Sequence, residues 1–468
     1  MNLQFGYDYH DMSTASPCGF ENNKWQVPKT MSPQEIIDQQ PMSRMQIVAV
    51  IMCIFLFALD GFDVLAISFA APGISTEWNV DRAALGVILA MELIGMGVGS
   101  VVLGNMADRI GRRPVALVCL SIMSLGMLLA GMASDVTTLS AYRLFTGFGI
   151  GGMLATANAM VAEYANMRRR NLAVICLGTG FPIGAILGGS VASVLLETQD
   201  WRSVFMFGAI ITVAFIPLVW FFLPETVLFL ARKRGTGALE KINHTLKRMG
   251  HSVVDKLDEV QQSGTKFNKM QLFSPELLRT TLLLTAGYFF HVMTFYFIIK
   301  WIPKIVVDMG FDPSTAGTVL VWANVGGLLG TVLLALASGR FSLRYLVVIA
   351  MLGSFLMVGL FGQGFSTIRD LSLIAAAAGF FTSTGIVGFY ALNARMFPTE
   401  VRAGGTGFVI GIGRGGSALG PILAGFLFAS GQDLQTVALT ISIGSLLAAG
   451  LVLMLSAQKS EQEALAQT

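Results

Sequence analysis

The sequence predicts an all-α membrane protein with twelve transmembrane helices in two pseudo-symmetric six-helix bundles, and three observations carry that prediction. Of 468 residues, 54% are hydrophobic and only 13% charged, against roughly 25% charged in an average soluble protein. Twelve apolar runs of about 20 residues are each long enough to cross a ~30 Å hydrocarbon core as a helix. They fall at 46–72, 84–104, 114–133, 137–160, 171–196, 202–223, 280–303, 314–338, 343–362, 370–393, 403–430 and 434–457. One long polar stretch, 224–279, divides the spans six and six. The expected organisation is a polar tail (1–45), an N-terminal bundle (46–223), a middle loop (224–279), a C-terminal bundle (280–457) and a short second tail (458–468).

The first tail mixes Asn, Gln, Ser, Pro and Asp without periodicity and is expected to be disordered or loosely attached. No secretory signal reads out, because the first apolar run is too long and carries Asp60 and Asp63 where a signal core is purely apolar. Charge placement gives the orientation. With the N terminus inside, inner segments hold 24 Lys/Arg and outer segments five: Arg82, Arg202, Lys300, Lys304 and Arg369. The positive-inside rule then places both termini in the cytoplasm. Cys18, Cys53, Cys119 and Cys176 are scattered without metal or redox spacing.

The two halves repeat weakly, with an offset of about 231 residues, as in transporters built from paired bundles. Glu163 to Arg170, after the fourth span, has the spacing of Arg395 to Arg402 after the tenth; Met106 to Arg113 is echoed by Ala337 to Arg344. The 52 glycines concentrate in spans 2, 4, 5, 8 and 11. There, small residues let helix backbones approach where lipid supplies no hydrophobic drive. Pro182 and Pro421 permit bending in spans 5 and 11.

Charges inside the spans point to chemistry. Asp60 and Asp63 lie i, i+3 on one helix face, deep in span 1. A charged residue at mid-bilayer costs roughly 3 kcal/mol even on the lenient scale, and close carboxylates resist joint ionisation. The pair therefore suits a proton carrier. Arg143, inside span 4, stays charged and is read as counter-ion to span 1. Arg414 is the only cation deep in the C-terminal half, and its planar fork matches a carboxylate, which makes it the expected anion anchor. Glu92, mid-span 2, reads equally as a second proton site or as a partner of Arg143 or Arg414. His291, among the aromatics of span 7, is a candidate for titration or for donation to a substrate hydroxyl, against a bonded core histidine. Asn158, Asn324, Tyr288, Tyr296 and Tyr390 are further candidates to line a cavity.

The run Gly104-Asn-Met-Ala-Asp-Arg-Ile-Gly-Arg-Arg113 resembles the loop between helices 2 and 3 of the major facilitator superfamily. Asp60-Gly-Phe-Asp63 with Pro72, Arg143 before its glycine run, and Gly411-Ile-Gly-Arg-Gly-Gly-Ser-Ala-Leu-Gly-Pro421 resemble its aromatic acid:proton symporter branch. Glu92 departs from that branch, where a small or apolar residue is expected. The resemblance covers about 45 to 457. It implies the two-bundle fold and a cytoplasmic gate that latches the bundles through Gly104, Asp108, Arg109, Gly111, Arg112 and Arg113, with Glu163, Arg170 and Arg402 contributing.

The expected activity is import of an aromatic carboxylic acid by proton symport with alternating access, in the inner membrane of a bacterium. The partners are a small aromatic carboxylate, protons and lipid; the chain is expected to act as a monomer without nucleic acid. No nucleotide-binding loop, metal-ligand set or nucleophile–base pair reads out, so neither a cofactor nor an enzyme is expected. The rivals are a sugar or muconate-like anion porter, a drug/proton antiporter and a membrane sensor.

Overall fold

A computed structural model of the chain describes residues 32–233, 237–255, 272–398 and 401–455. The twelve membrane helices are α2 (Arg44–Glu77), α3 (Arg82–Ile110), α4 (Arg112–Gly131), α5 (Val136–Tyr164), α6 (Arg170–Thr198), α7 (Arg202–Phe222), α10 (Pro275–Asp308), α11 (Pro313–Ala337), α12 (Leu343–Phe361), α13 (Ile368–Met396), α14 (Arg402–Ala429) and α15 (Leu434–Leu453). Three short helices lie outside them: α1 (Pro33–Gln39), α8 (Val227–Lys233) and α9 (Ala238–Arg248). Tail side here means the face bearing α1, α8 and α9; far side means the opposite face.

Polar side chains start these helices where the apolar runs begin. Ser43 and Gln46 form a reciprocal capping box on α2, and Asp81, Asp135 and Asp433 accept the first free amides of α3, α5 and α15. Each cap satisfies donors that lipid cannot.

Glycine seams join the helices within each half. A Cβ added at Gly147 of α5 would stand 2.0 Å from the Glu92 carbonyl oxygen of α3, and one at Gly99 of α3 would stand 1.9 Å from that of Phe148. The C-terminal half repeats this seam: Gly379 of α13 meets the Ala323 carbonyl oxygen at 1.9 Å, and Gly330 of α11 meets that of Phe380 at 2.4 Å. α2 and α6 close through Gly184 on Ala58, as α14 and α10 close through Gly416 on Phe289. At the tail side Arg113 donates to the Trp220 carbonyl, and Arg344 donates to that of Leu453. The weak sequence repeat is thus a repeat of contacts.

Between the halves, the contacts run from mid-membrane to the far side. Gly86 of α3 packs on Pro421 and Gly425 of α14, Gly317 of α11 on Ser193 of α6, and Arg82 pairs with Asp308 at 3.1 Å. Toward the tail side, a Cβ added at Gly97, Gly178, Gly407 or Gly411 would meet nothing within 4 Å. The far side is shut and the halves diverge toward the tail side.

Two expectations change. The first tail is not uniformly loose: α1, with its own Ser32–Glu35 capping box, buries Ile36 and Ile37 against Val227, Ile242 and Leu246 of α8 and α9. His251 fastens this layer to α2 through Gln40 (2.6 Å) and Gln46 (2.8 Å). The middle stretch is accordingly not simply a loop, and α10 starts at Pro275, not 280. The rest of the first tail (1–31), most of the middle stretch after 255 and the second tail lie outside the described residues.

Candidate functional site

Arg143 and Gly147 sit one turn apart on α5, so the glycine that lets α5 touch the Glu92 backbone also brings the guanidinium to the Glu92 side chain. Glu92 is fully buried, and its Oε2 serves two cations: Arg143 at 2.5 Å and Lys300 of α10 at 3.3 Å. Arg143 donates to the Asp63 backbone carbonyl at 2.8 Å and lies over the Phe205 ring. Lys300 Nζ also donates to the Val64 carbonyl of α2. The cluster therefore spans both halves.

Asp60 and Asp63 lie beside it on α2, both wholly buried, and among the described residues none of their four carboxyl oxygens has a hydrogen-bond partner. The Asp63 side chain faces Gly208 of α7, where an added Cβ would come within 3.4 Å of Oδ1. The pair expected from the sequence is thus inside the N-terminal half, among α2, α4 and α7, rather than on an open wall.

Arg414 occupies the boundary from the other side. It is half-buried on α14, and its one long contact reaches the Met96 carbonyl of α3 at 3.4 Å. Among the described residues no carboxylate lies in ion-pair range of it. Around it stand Tyr288 and Tyr296 of α10, both within its electrostatic reach. Tyr288 is seated against Gly413, and its hydroxyl meets that of Tyr390 at 3.3 Å. Tyr390 is 41% exposed. A guanidinium beside phenol rings and hydroxyls can take an anion and the ring that carries it.

Several sequence expectations are corrected. Arg143 is not paired to the span-1 carboxylates: its ion pair is with Glu92, and it reaches Asp63 only through the backbone. For Glu92 the structure takes the second of the two readings, the ion pair with Arg143, to which it adds Lys300 and not Arg414. His291 is sealed within the C-terminal half, with Nδ1 on the Ser445 hydroxyl and Nε2 on the Thr382 carbonyl, both at 2.9 Å. With both nitrogens engaged it is a core histidine. Asn158 and Asn324 turn their amides back to their own helices, to the Leu154 and Leu320 carbonyls. Lys300 is not an outer-surface charge, being 0% exposed.

The gate residues make their contacts within the N-terminal half. Arg112 pairs with Asp108 (2.5 Å) and Glu163 (3.0 Å), and Arg170 pairs with Asp38 just past the α1 core. Arg109 is exposed at the end of α3, and Gly104 meets only Ala155 of α5. Arg402, on the other half, contacts the Phe397 carbonyl at 3.3 Å. With the halves apart on this side, these groups are not latched across them.

Two buried contacts near the site lie outside the sequence expectations, those of Glu225 and Lys300. Glu225 accepts from the amides of Arg112 (3.0 Å) and Arg113 (3.2 Å) and fills the space beside Gly111, whose φ of +121° is one that residues with a side chain rarely adopt. Burial pushes its carboxyl above the usual carboxylate range, opposed by those amides. Lys300 counts among the outer charges on sequence because it lies three residues from the end of the run at 303; Ile305-Val-Val307 continues that run and carries the helix to Asp308, which puts Lys300 deeper.

Residues 53–286 and 284–467 match the family profile described as Major Facilitator Superfamily. A gallate transporter of Pseudomonas putida is 30% identical over 404 residues, covering 85% of this chain and 89% of its own. A 4-hydroxybenzoate transporter of the same organism is 30% identical over 434 residues, with 90% and 95% covered. A benzoate transport protein of Acinetobacter baylyi is 27% identical, with 85% and 87% covered. Among solved structures, the partially occluded inward-open xylose transporter XylE from E. coli matches with a TM-score of 0.68 at 18% identity, over 89% of this chain and 99% of that one. A bacterial homolog of the lysosomal transporter Spinster, inward-facing and occupied, matches with a TM-score of 0.66 at 14% identity, covering 86% and 95%.

Proposed function

The chain belongs to the major facilitator superfamily, a multi-pass membrane transporter and not an enzyme, and from that premise we propose that it imports an aromatic carboxylic acid together with protons. The observation that carries the reading is Arg414: a half-buried guanidinium at the boundary of the halves, without a carboxylate partner among the described residues and flanked by Tyr288, Tyr296 and Tyr390. The names of the relatives, for gallate, 4-hydroxybenzoate and benzoate, support the same ligand chemistry.

The mechanism follows from what each half holds. Asp60 and Asp63 have no donors in a buried site, and a bare buried carboxylate costs several kcal/mol, so this site accepts them as neutral acids. Protons taken from the outside would let α2 pass through the dry state; the substrate carboxylate docks at Arg414, and rocking of the halves releases both on the tail side. That side is the cytoplasm by the distribution of Lys and Arg, in the inner membrane of a bacterium. The protein acts as a monomer, because each half contributes its part of the site within one chain.

Uptake into proteoliposomes under an imposed inward proton gradient tests this, with labelled gallate, 4-hydroxybenzoate, benzoate, protocatechuate and a hexose. Accumulation of an acid that collapses with a protonophore is expected. Hexose uptake alone, or acid uptake indifferent to the gradient, would refute it.

A further inference from the structure

The contacts of Lys300 have a property the rest of the buried cluster lacks: they join the two halves, α10 to α3 and α2, and they lie on the side that is shut. Lys300 is eight residues before the end of α10, about 12 Å below the far-side end of that helix at 1.5 Å per residue. Its two acceptors, the Val64 carbonyl and Glu92 Oε2, both belong to the other half. When the far side opens, the ammonium loses both. On its own helix the neighbours one turn away are Tyr296 and Lys304, and Lys304 is held by Asp308 at 2.6 Å. Glu92, by contrast, keeps Arg143, which belongs to its own half and is closer.

Opening thus strips one cation and leaves its carboxylate partner satisfied. The stripped cation also stands at a depth between two others. Lys304 stands at the rim, Lys300 below it, and Arg414 about 22 Å from the far end of α14, reckoned along the helix axis. All three belong to the C-terminal half. Of the acids nearest these cations, Asp308 lies on α10 itself and holds Lys304 at the rim, whereas Glu92 belongs to the N-terminal half, as do Asp60 and Asp63, which are enclosed within it.

We propose that Lys300 is a transient docking site for the substrate carboxylate on the way to Arg414, and that Glu92 occupies that site as an internal stand-in while the far side is closed. This rests on the aromatic-carboxylate reading given above. Closure of the far side and arrival of substrate then exclude each other at one ammonium group. A carboxylate that has moved on to Arg414 leaves Lys300 free to take Glu92 back, which shuts the path behind it.

The test compares Glu92→Gln, Lys300→Gln and Lys300→Arg in a chain whose four cysteines are replaced by serine. Spin labels at Thr76→Cys and Gln363→Cys, on far-side positions of opposite halves, report opening; uptake of labelled 4-hydroxybenzoate reports docking. Both glutamine variants are expected to enlarge the far-open population several-fold. Lys300→Gln is expected to raise KM tenfold or more with a change in maximal rate below threefold. Glu92→Gln, which removes the competitor and keeps the ammonium, leaves KM unchanged or lower. Lys300→Arg, which keeps the charge and guards against a folding defect, stays near the parent in both readouts. Unchanged label distances in both glutamine variants would overturn the stand-in role, and an equal rise of KM in Glu92→Gln and Lys300→Gln would overturn the docking role. A parent that takes up no aromatic acid overturns the transport reading and docking with it, whereas intact uptake with unmoved distances overturns only the exchange.

Discussion

The N-terminal and C-terminal halves share a framework and differ in what they bury. At the offset of about 231 residues, Asp60 corresponds to His291, Glu92 to Ala323 and Arg143 to Ala375 with a one-residue shift, while the glycine seams coincide on both sides. In the first half the buried polar groups include Asp60, Asp63, Glu92 and Arg143, and the Asp60 and Asp63 carboxyls have no donor among the described residues. In the second, His291 closes on Ser445 and Thr382, and Ser445 on Ser354, while the one buried charge among the described residues, Lys300, turns to the first half and the buried Asn393 amide has no partner among them. A satisfied neutral network such as that around His291 rigidifies, whereas carboxyls without donors fit the proton-carrying role proposed above. The lesson is that a duplicated scaffold separates frame from chemistry: close packing is kept in both halves, while the buried acids are kept in one.

The sharpest way to break this comparison is to exchange the equivalent polar residues. Asp60→Asn with Asp63→Asn is expected to abolish gradient-driven accumulation, a loss of at least about 100-fold for groups acting only in the coupled step. His291→Gln, which preserves a donor and an acceptor, is expected to keep uptake within about threefold and to lower stability by about 1–3 kcal/mol. Initial uptake rates and thermal melting decide between them; if the histidine variant loses coupling as the aspartate variant does, the division fails.

The shared frame can be probed next. Gly147→Val and Gly379→Val each push a side chain into a backbone carbonyl at about 2 Å, and each is expected to cost about 1–3 kcal/mol or more by overpacking. Equal losses of folded yield would support equivalent seams, and tolerance at one site alone would not.

A milder effect is expected where the halves meet. Gly425→Val collides with the Arg82 carbonyl and Gly86, contacts that exist only with the far side shut. The variant should fold normally yet open more often, so Val321→Cys, introduced beside Gly189, should react faster with an impermeant maleimide. Unchanged reactivity would show that this contact does not hold the state.

The smallest effect is reserved for Glu225→Gln, which keeps the shape around Gly111 but weakens acceptance of the Arg112 and Arg113 amides. About 1 kcal/mol of stability should go, with uptake intact, as read by melting and by the same uptake assay. A large loss of transport would mean that this corner is part of the gate in the state described here.

Much of this was legible in the chain. Helix number, the six-and-six division and the repeat follow from the length of apolar runs and from charges that lipid rejects. Asp60, Asp63 and Arg414 could be singled out because a charge inside an apolar run stands out against its neighbours. The reading faltered where a charge lay at the edge of a run. Lys300 looked like a loop residue, since hydropathy registers depth only through immediate neighbours, and its partners are more than 200 residues away in sequence. The same limit hid Glu225, an acid just past a span, and the docking of α1, whose apolar side is two residues wide.

Sequence by itself therefore determined the elements, their insertion and the kinds of group placed inside the membrane, because each of those depends on local transfer energies. Tertiary structure alone decided which charge meets which. Arg143 turned to Glu92 rather than to Asp60 or Asp63, His291 was closed off while Arg414 has no counter-ion among the described residues, and Arg112 and Arg170, expected in a gate, stayed within their own half. Those choices depend on which faces the glycine seams bring together and on which side the halves are shut, and both are set by backbone approach between distant segments, a quantity that no stretch of residues encodes alone.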